Sequence, residues 1–241
     1  MTSESGRIQQ QPAFVLHSIP WRETSLVVEF FTAQHGRLPL VAKGVRRPRS
    51  ALRGLMQPFQ PLLIGWFGQG ELRTLKSAEW QGGIPLLQGR ALFCGFYLNE
   101  LLMRLMGRDD PHEVVFQAYQ TAMERLAGGN SLEPVLRAFE VSLLRELGYA
   151  PQLDREADSG APIDPAATYR FEQESGALRI VAGEGNTVQF LGKTLLDMAA
   201  GHYEDPLTLS QSKQLMRLLL GHQLGRTDLH SRRIIQEISP L

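Results

Sequence analysis

Cysteine is almost absent: the 241 residues hold one, Cys94. That excludes a disulfide framework and a Cys₄ zinc site, and it fits a reducing compartment. No run of 18 apolar residues occurs, so no membrane span is expected. Residues 1–12 are polar and Gln-rich without an apolar core, which argues against a signal peptide and for a cytoplasmic protein. Net charge is absent too, because 25 Lys+Arg balance 25 Asp+Glu. A basic field over the whole molecule is thereby excluded, although a local patch is not. Hydrophobic residues at 43% and charged residues at 21% place the chain among ordinary globular sequences.

Catalytic constellations are missing as well. There is no GxSxG, no HExxH, and no GxGxxG between a strand and a helix. Gly192-Lys193-Thr194 echoes a phosphate loop, but Thr187 stands where that loop needs Gly, and Val188, Phe190 and Leu191 fill it with apolar bulk. His202 and Glu204 lack a third ligand at metal spacing, so they read as surface residues. Cys94 falls in an apolar helical stretch without a nearby His, and reads as a small core residue.

What is present is segregated. Residues 1–80 carry ten Lys/Arg against five Glu, residues 81–200 carry ten against sixteen Asp/Glu, and residues 201–241 carry five against four. Such asymmetry hints at a polyanion-binding module at one end. The hydrophobic pattern divides in the same place. Short apolar runs at 13–17, 25–31, 37–43, 59–67 and 71–79 predict five strands, with Pro39 implying an edge or bulge. Five short strands in about 70 residues suggest a small closed barrel. From Gly89 the period turns helical: helices are expected from Gly89, from Asp110-Pro111 with Val114 turned inward, and from Ser131 as N-cap to Gly148. The three are expected to form a bundle. Residues 149–166 read as a loop, 168–181 as a hairpin around Ser175-Gly176, and 195–200, 210–224 and 231–238 as further helices.

The strongest functional signal is the stretch from Lys43 to Arg53, which holds Lys43, Arg46, Arg47, Arg49 and Arg53. Gly44 and Pro48 deny it regular structure, so it is expected to project from the barrel. Clustered guanidinium groups suit phosphate oxygens. Arg22, Arg37, Arg73 and Lys76 belong to the same module, and five-stranded barrels commonly bind oligonucleotides. Trp21, Phe59, Trp66, Phe67 and Trp80 are the aromatic candidates for base stacking, most of them expected in the barrel core. The alternative is a solvated basic loop on a non-enzymatic protein-interaction adaptor, binding RNA or no nucleic acid.

Several stretches stand together as a pattern: Ala13-Phe-Val-Leu-His-Ser18 with Glu23-Thr24-Ser25-Leu26, then Gly36-Arg37 with Leu40-Val41-Ala42-Lys43-Gly44-Val45-Arg46. Leu55-Met56-Gln57-Pro58-Phe59, Leu75-Lys76-Ser77-Ala78-Glu79 and Tyr97-Leu98-Asn99-Glu100-Leu101 follow in order. So do Phe139-Glu140, Leu143-Leu144 and Leu147-Gly148-Tyr149, and finally Leu229, Ser231 and Arg232. In this order they resemble the RecO family of bacterial DNA repair and recombination mediators.

The resemblance implies an α+β chain: an N-terminal five-stranded OB-fold β-barrel over 1–82, then a mainly α-helical domain over 83–241. Within the latter, a bundle spans about 89–148, a loop and small hairpin 149–190, and C-terminal helices 192–241. It implies binding of single- and double-stranded DNA, strand annealing, and loading of RecA onto strands coated by single-stranded-DNA-binding protein (SSB). It further implies work with RecR, and in many bacteria with RecF, no bond-making chemistry, and a cytoplasmic, nucleoid-associated monomer without cofactor. Many relatives hold zinc with four cysteines after the third helix. Here Tyr149 to Gly160 has none, and Asp154, Glu156 and Asp158 are poor zinc donors, so no metal is expected and the loop must be ordered otherwise, or not at all. For the acidic SSB tail, with its apolar end and free carboxylate, the resemblance points to Arg137 beside a pocket from Leu102, Leu143 and Leu144. The other reading of Arg137 is a helix pair with Glu133 or Glu140.

Overall fold

The computed structural model describes residues 7–172, 175–180, 188–225 and 229–231. Five strands, β1 (Arg7–Trp21), β2 (Ser25–Thr32), β3 (Gly36–Ala42), β4 (Leu62–Phe67) and β5 (Arg73–Trp80), close into a barrel of order β1-β2-β3-β5-β4. All pairs are antiparallel except β3–β5, which is parallel at Leu40↔Arg73 and Val41↔Thr74. This is the OB-fold. β1 is longer than its apolar run: its first half pairs with β4 and its second with β2, with register shifts near Ile8/Gln11 and Val15/His17. Such shifts let one strand bend around a closed barrel. Pro39 lies opposite Glu29 and just outside the short β3–β5 ladder, the edge-like position its missing N–H requires.

Alternation decides which side chains enter the barrel. Val28, Phe30, Leu38, Leu40, Leu62, Ile64 and Trp66 fill it. The opposite parity carries Phe14 and Phe31 outward, onto the next helices. These are α1 (Gly89–Leu105) and α2 (Glu113–Ala127). Phe116 and Tyr119 of α2 pack on Phe14 and Phe31 with centroids 5.1–6.1 Å apart. The buried Tyr119 hydroxyl donates to Asn99 Oδ1 (2.5 Å), and Asn99 Nδ2 donates to the Leu16 carbonyl (2.8 Å). That chain satisfies each buried polar group along it, as burial demands. Burial pushes the Tyr119 hydroxyl far above its ordinary value. α2 begins at Glu113 rather than Asp110, and Val114 is 55% exposed rather than inward.

The rest comprises α3 (Leu132–Glu146), a sheet of β6 (Thr168–Glu172), β7 (Gly176–Arg179) and β8 (Gln189–Leu191), α4 (Gly192–Ala200) and α5 (Pro206–Leu224). The chain divides into two compact units, one holding 7–130 with 229–231, the other the described residues between 131 and 225. The helices expected as one bundle are thus divided, α1 and α2 with the barrel and α3 with α4 and α5. Ser131 sits at the N-cap of α3 without a side-chain cap bond, whereas Gly148 takes the expected left-handed φ of 78°. The expected hairpin has a third strand, β8, supplied by the apolar run at Phe190. Asp205 caps α5 by accepting from Leu207 N–H, with Pro206 at the first turn, so that helix starts four residues before Ser210. Val181, Thr187 and residues 232–238 lie outside the described residues.

Gly192 has a packing role. A Cβ there would lie 1.9 Å from the Asp164 carbonyl oxygen. Lys193 pairs with Asp197 and Asp205, and Thr194 Oγ1 donates to Gln211 Oε1. The Gly-Lys-Thr run is therefore the start of a tightly packed helix.

Candidate nucleic-acid interface

The chain between β3 and β4 is ordered, not projecting freely. N–H groups of Arg47, Ser50, Arg53 and Leu55 each donate to the carbonyl three residues earlier, a run of consecutive turns. Val45 and Met56 enter the barrel core, with Leu52 and Leu55 packed against it. Those four apolar residues, interleaved with the cations, were the signal that this segment covers the barrel. Lys43, Arg46, Arg47, Arg49 and Arg53 remain exposed. Among the described residues none of the five has a carboxylate within 4 Å, whereas Arg73 does.

The same segment is stitched to the β1–β2 turn. Arg46 N–H donates to Thr24 O (2.9 Å), Arg46 Nη1 reaches Arg22 O at 3.5 Å, and Gly44 N–H reaches Ser25 Oγ at 3.4 Å. This brings Arg22, Lys43 and Arg46 together with Trp21, whose ring lies 5.9 Å from the Arg22 guanidinium. Arg22 itself has a left-handed φ of 51° at the turn. Lys76, two residues past the short β3–β5 ladder on β5, is exposed as well.

Two predicted residues are drawn away. The Arg37 side chain is 12% exposed: Nη1 donates to Met103 O (2.6 Å), and Nε lies 3.5 Å from Glu29. Arg108 donates twice to the same Glu29 carboxylate, at 3.2 and 3.0 Å. Burial pulls Arg37 below its ordinary value, against the opposing charge of Glu29, while the Glu29 hydrogen bond holds Arg108 above its own. Arg37 is therefore a structural cation joining barrel to α1. Arg73 is half-buried and paired with Asp109 at 2.7 Å.

The aromatics divide differently from expectation. Trp66 and Phe59 are buried, but Trp21 (39% exposed), Phe67 (44%) and Trp80 (59%) are not. Strand ends explain this: Trp21 and Phe67 terminate β1 and β4, and Trp80 terminates β5 with its indole N–H on Gln60 Oε1.

The residues offered for an SSB tail are closed. Leu102, Leu143 and Leu144 are fully buried, and Leu102 belongs to the other compact unit from the rest. Arg137 is buried on α3 and donates from Nη2 to Glu140 Oε1 (2.7 Å). The helix pairing with Glu140 is thus realised, in the interior rather than on the surface. Beside it, burial raises the Tyr203 hydroxyl to about 12.

The 149–166 loop is ordered by a polar knot. Buried Glu156 accepts from Ser159 Oγ (2.6 Å) and from the Tyr169 hydroxyl (3.2 Å), with Arg179 at 3.8 Å. Arg179 also donates to Asp164, Arg155 to Gly160 O, and Asp164 N–H to the Tyr169 hydroxyl.

An OB-fold barrel with exposed cations beside Trp21 is an architecture that commonly takes oligonucleotides. The particular family follows from comparison. The family models described as Recombination protein O N terminal and Recombination protein O C terminal match residues 7–83 and 86–233. DNA repair protein RecO of Aromatoleum aromaticum is 54% identical over 239 residues, 99% of this chain and all of that protein. Those of an Azoarcus species and of Nitrosospira multiformis are 54% and 52% identical, covering 98% and all of each protein. The chain belongs to the RecO family of DNA repair proteins.

Proposed function

We propose that this protein is a non-catalytic recombination mediator that binds single- and double-stranded DNA, anneals complementary strands, and helps load RecA onto SSB-coated strands, in concert with RecR and RecF. The observation that carries the DNA-binding part is the group of free cations on the barrel: Arg22, Lys43, Arg46, Arg47, Arg49, Arg53 and Lys76, with Trp21 beside them. Cations already paired inside the protein gain little from a phosphate. Free ones release condensed counterions from DNA and bind in a salt-dependent way. Because the turns already fix the segment, little conformational entropy is lost when a backbone is engaged. Two strands neutralised on one face repel each other less, so complementary bases can sample pairing.

An SSB tail would have to compete with Glu140 for Arg137, offering one carboxylate for another. That exchange makes tail binding a conditional event, and Arg137→Ala the variant that removes it. The cytoplasm, where the chromosome lies, is the compartment such a role requires.

The test is annealing of complementary single strands, bare and SSB-coated, across a salt series. Acceleration on both, fading with salt, is expected. Acceleration on bare strands alone would overturn the tail contact. No acceleration on either would overturn the mediator reading in favour of a protein-interaction adaptor.

A further inference from the structure

A cleft of about 410 Å³ opens on the barrel unit, and none of its lining residues belongs to the basic segment. That volume sits near the lower end of small-ligand sites, about 300–1,000 Å³. Five chain segments line it. The β2–β3 turn supplies His35, β1 and the end of β4 supply Ile8 and Trp66, and the α1–α2 loop supplies Asp109 and Pro111. Arg73 of β5, Gln34 and Gly68 complete the lining.

The wall from the α1–α2 loop is built into place. Gly36 has a φ of 64°, and a Cβ on it would lie 2.1 Å from the Asp110 carbonyl oxygen, so only glycine lets the loop come this close. Asp109 N–H then donates to Arg37 O at 2.8 Å. Asp109 is itself held at a φ of 56°, a conformation non-glycine residues rarely adopt and one that clusters at ligand sites. The result is a carboxylate aimed at Arg73, with Nη1 to Oδ1 at 2.7 Å.

The lining is chemically two-sided. Ile8, Pro111 and the edge-packed rings of His35 and Trp66, 5.1 Å apart, make an apolar and aromatic side. Burial, and then the Arg73 charge, holds His35 below its ordinary value, so its ring is neutral at pH 7 and serves as an aromatic wall. On the other side the Arg73–Asp109 pair sets a donor next to an acceptor. A flat heteroaromatic ring with an adjacent acceptor and donor on one edge complements both sides. Each nucleobase has such an edge. A phosphate or an acidic peptide end would instead meet Asp109.

We propose that this cleft receives one unstacked nucleobase of a DNA strand, read on its polar edge by Arg73 and Asp109 and packed against His35 and Ile8. The proposal rests on the DNA-binding reading above. Holding one base out of the stack at a point distinct from the cationic segment would fix the strand's path over the barrel.

The experiment uses the full chain carrying Trp21→Phe and Trp80→Phe, which leaves Trp66 as the one tryptophan. Deoxyadenosine monophosphate is titrated while Trp66 fluorescence and the melting temperature are recorded, with deoxyribose 5-phosphate as the abasic probe. A saturable fluorescence change and a rise in melting temperature with the nucleotide are expected, with neither for the abasic probe. Asp109→Asn, which tolerates the left-handed backbone, should weaken binding at least tenfold. Equal response to the abasic probe would overturn the proposal in favour of an anion site, and absence of both signals would overturn it outright. Strand binding without nucleotide binding would defeat the cleft and leave the DNA-binding reading standing. Nucleotide binding without strand binding would do the reverse.

Discussion

Two irregular segments of this chain reach order by opposite means. Residues 43–61 are held by backbone turns and by Val45 and Met56 inserted into the barrel core. Residues 149–166 are held by charge and hydrogen bonds, with Glu156 at the centre of Ser159, Tyr169 and Arg179. The first scheme leaves its cations free, while the second commits them. Arginine content alone therefore says little about polyanion binding; what matters is whether apolar side chains have already done the ordering. Glu29 repeats the second scheme on the barrel, committing Arg37 and Arg108.

The largest expected effect breaks the first segment's role without touching its order. Arg46→Glu, Arg47→Glu and Arg49→Glu together should lower DNA affinity by roughly a hundredfold or more at low salt, and flatten the salt dependence by about one unit of slope per lost contact. Fluorescence anisotropy across a salt series measures both. Melting temperature should barely move, since the three side chains are exposed and their one protein contact, Arg46 Nη1 to Arg22 O, is long at 3.5 Å.

The converse applies to the second segment. Glu156→Ala strands the buried Tyr169 hydroxyl and loosens Arg179, and should destabilise the unit containing it by about 2–3 kcal/mol. Amide exchange should quicken across 154–164, whose backbone bonds close around that carboxylate. DNA affinity should be unchanged. If DNA affinity instead fell with stability intact, the division of labour between the two segments would be wrong.

The barrel was legible because closure and alternation leave few alternatives for five short apolar runs over 67 residues or so. The cationic segment was legible in composition but not in conformation, since Val45 and Met56 read as scattered apolar residues until the barrel end they plug is known. Arg37 was misjudged for the same reason. Its partners Glu29 and Met103 are far apart in sequence, and no local pattern announces a buried ion pair. Most of the five aromatic candidates were expected in the core on residue type, whereas strand ends put Trp21, Phe67 and Trp80 outside. The cleft had no sequence signature at all, because it depends on Gly36 letting the Asp109–Asp110 turn approach.

A smaller effect sharpens the picture of the first segment. Trp21 lies beside Arg22 and Arg46, where a base could stack between ring and guanidinium. Trp21→Ala should weaken single-strand binding about tenfold, within the range for one stacked base, and leave duplex binding nearly unaltered. Trp80→Ala, remote in sequence from the cationic segment and tied to Gln60, is the matched control. Equal losses on single and double strands would mean that Trp21 supports the turn rather than a base.

The smallest effect tests whether a committed carboxylate behaves as such outside the 149–166 loop. Glu100 on α1 accepts from His230 N–H (2.9 Å), Ser231 N–H (2.9 Å) and Ser231 Oγ (2.7 Å), with Arg104 at 3.1 Å. Burial opposes its charge, but these partners outweigh burial and hold its carboxyl below the ordinary 4.5. A depressed value stabilises the fold above the unfolded-state value, and that stability is lost as pH falls through the folded one. Glu100→Gln keeps the shape and removes the charge. It should lower stability at pH 7 by about 1 kcal/mol, a discounted figure because the group is partly solvated. The gap between the two proteins should hold constant from pH 7 to about 5 and close below 4.5, as the native carboxyl also becomes neutral. Thermal melts of both proteins over pH 3–7 measure it, and a gap that widened on acidification would mean that Glu100 is held protonated rather than charged.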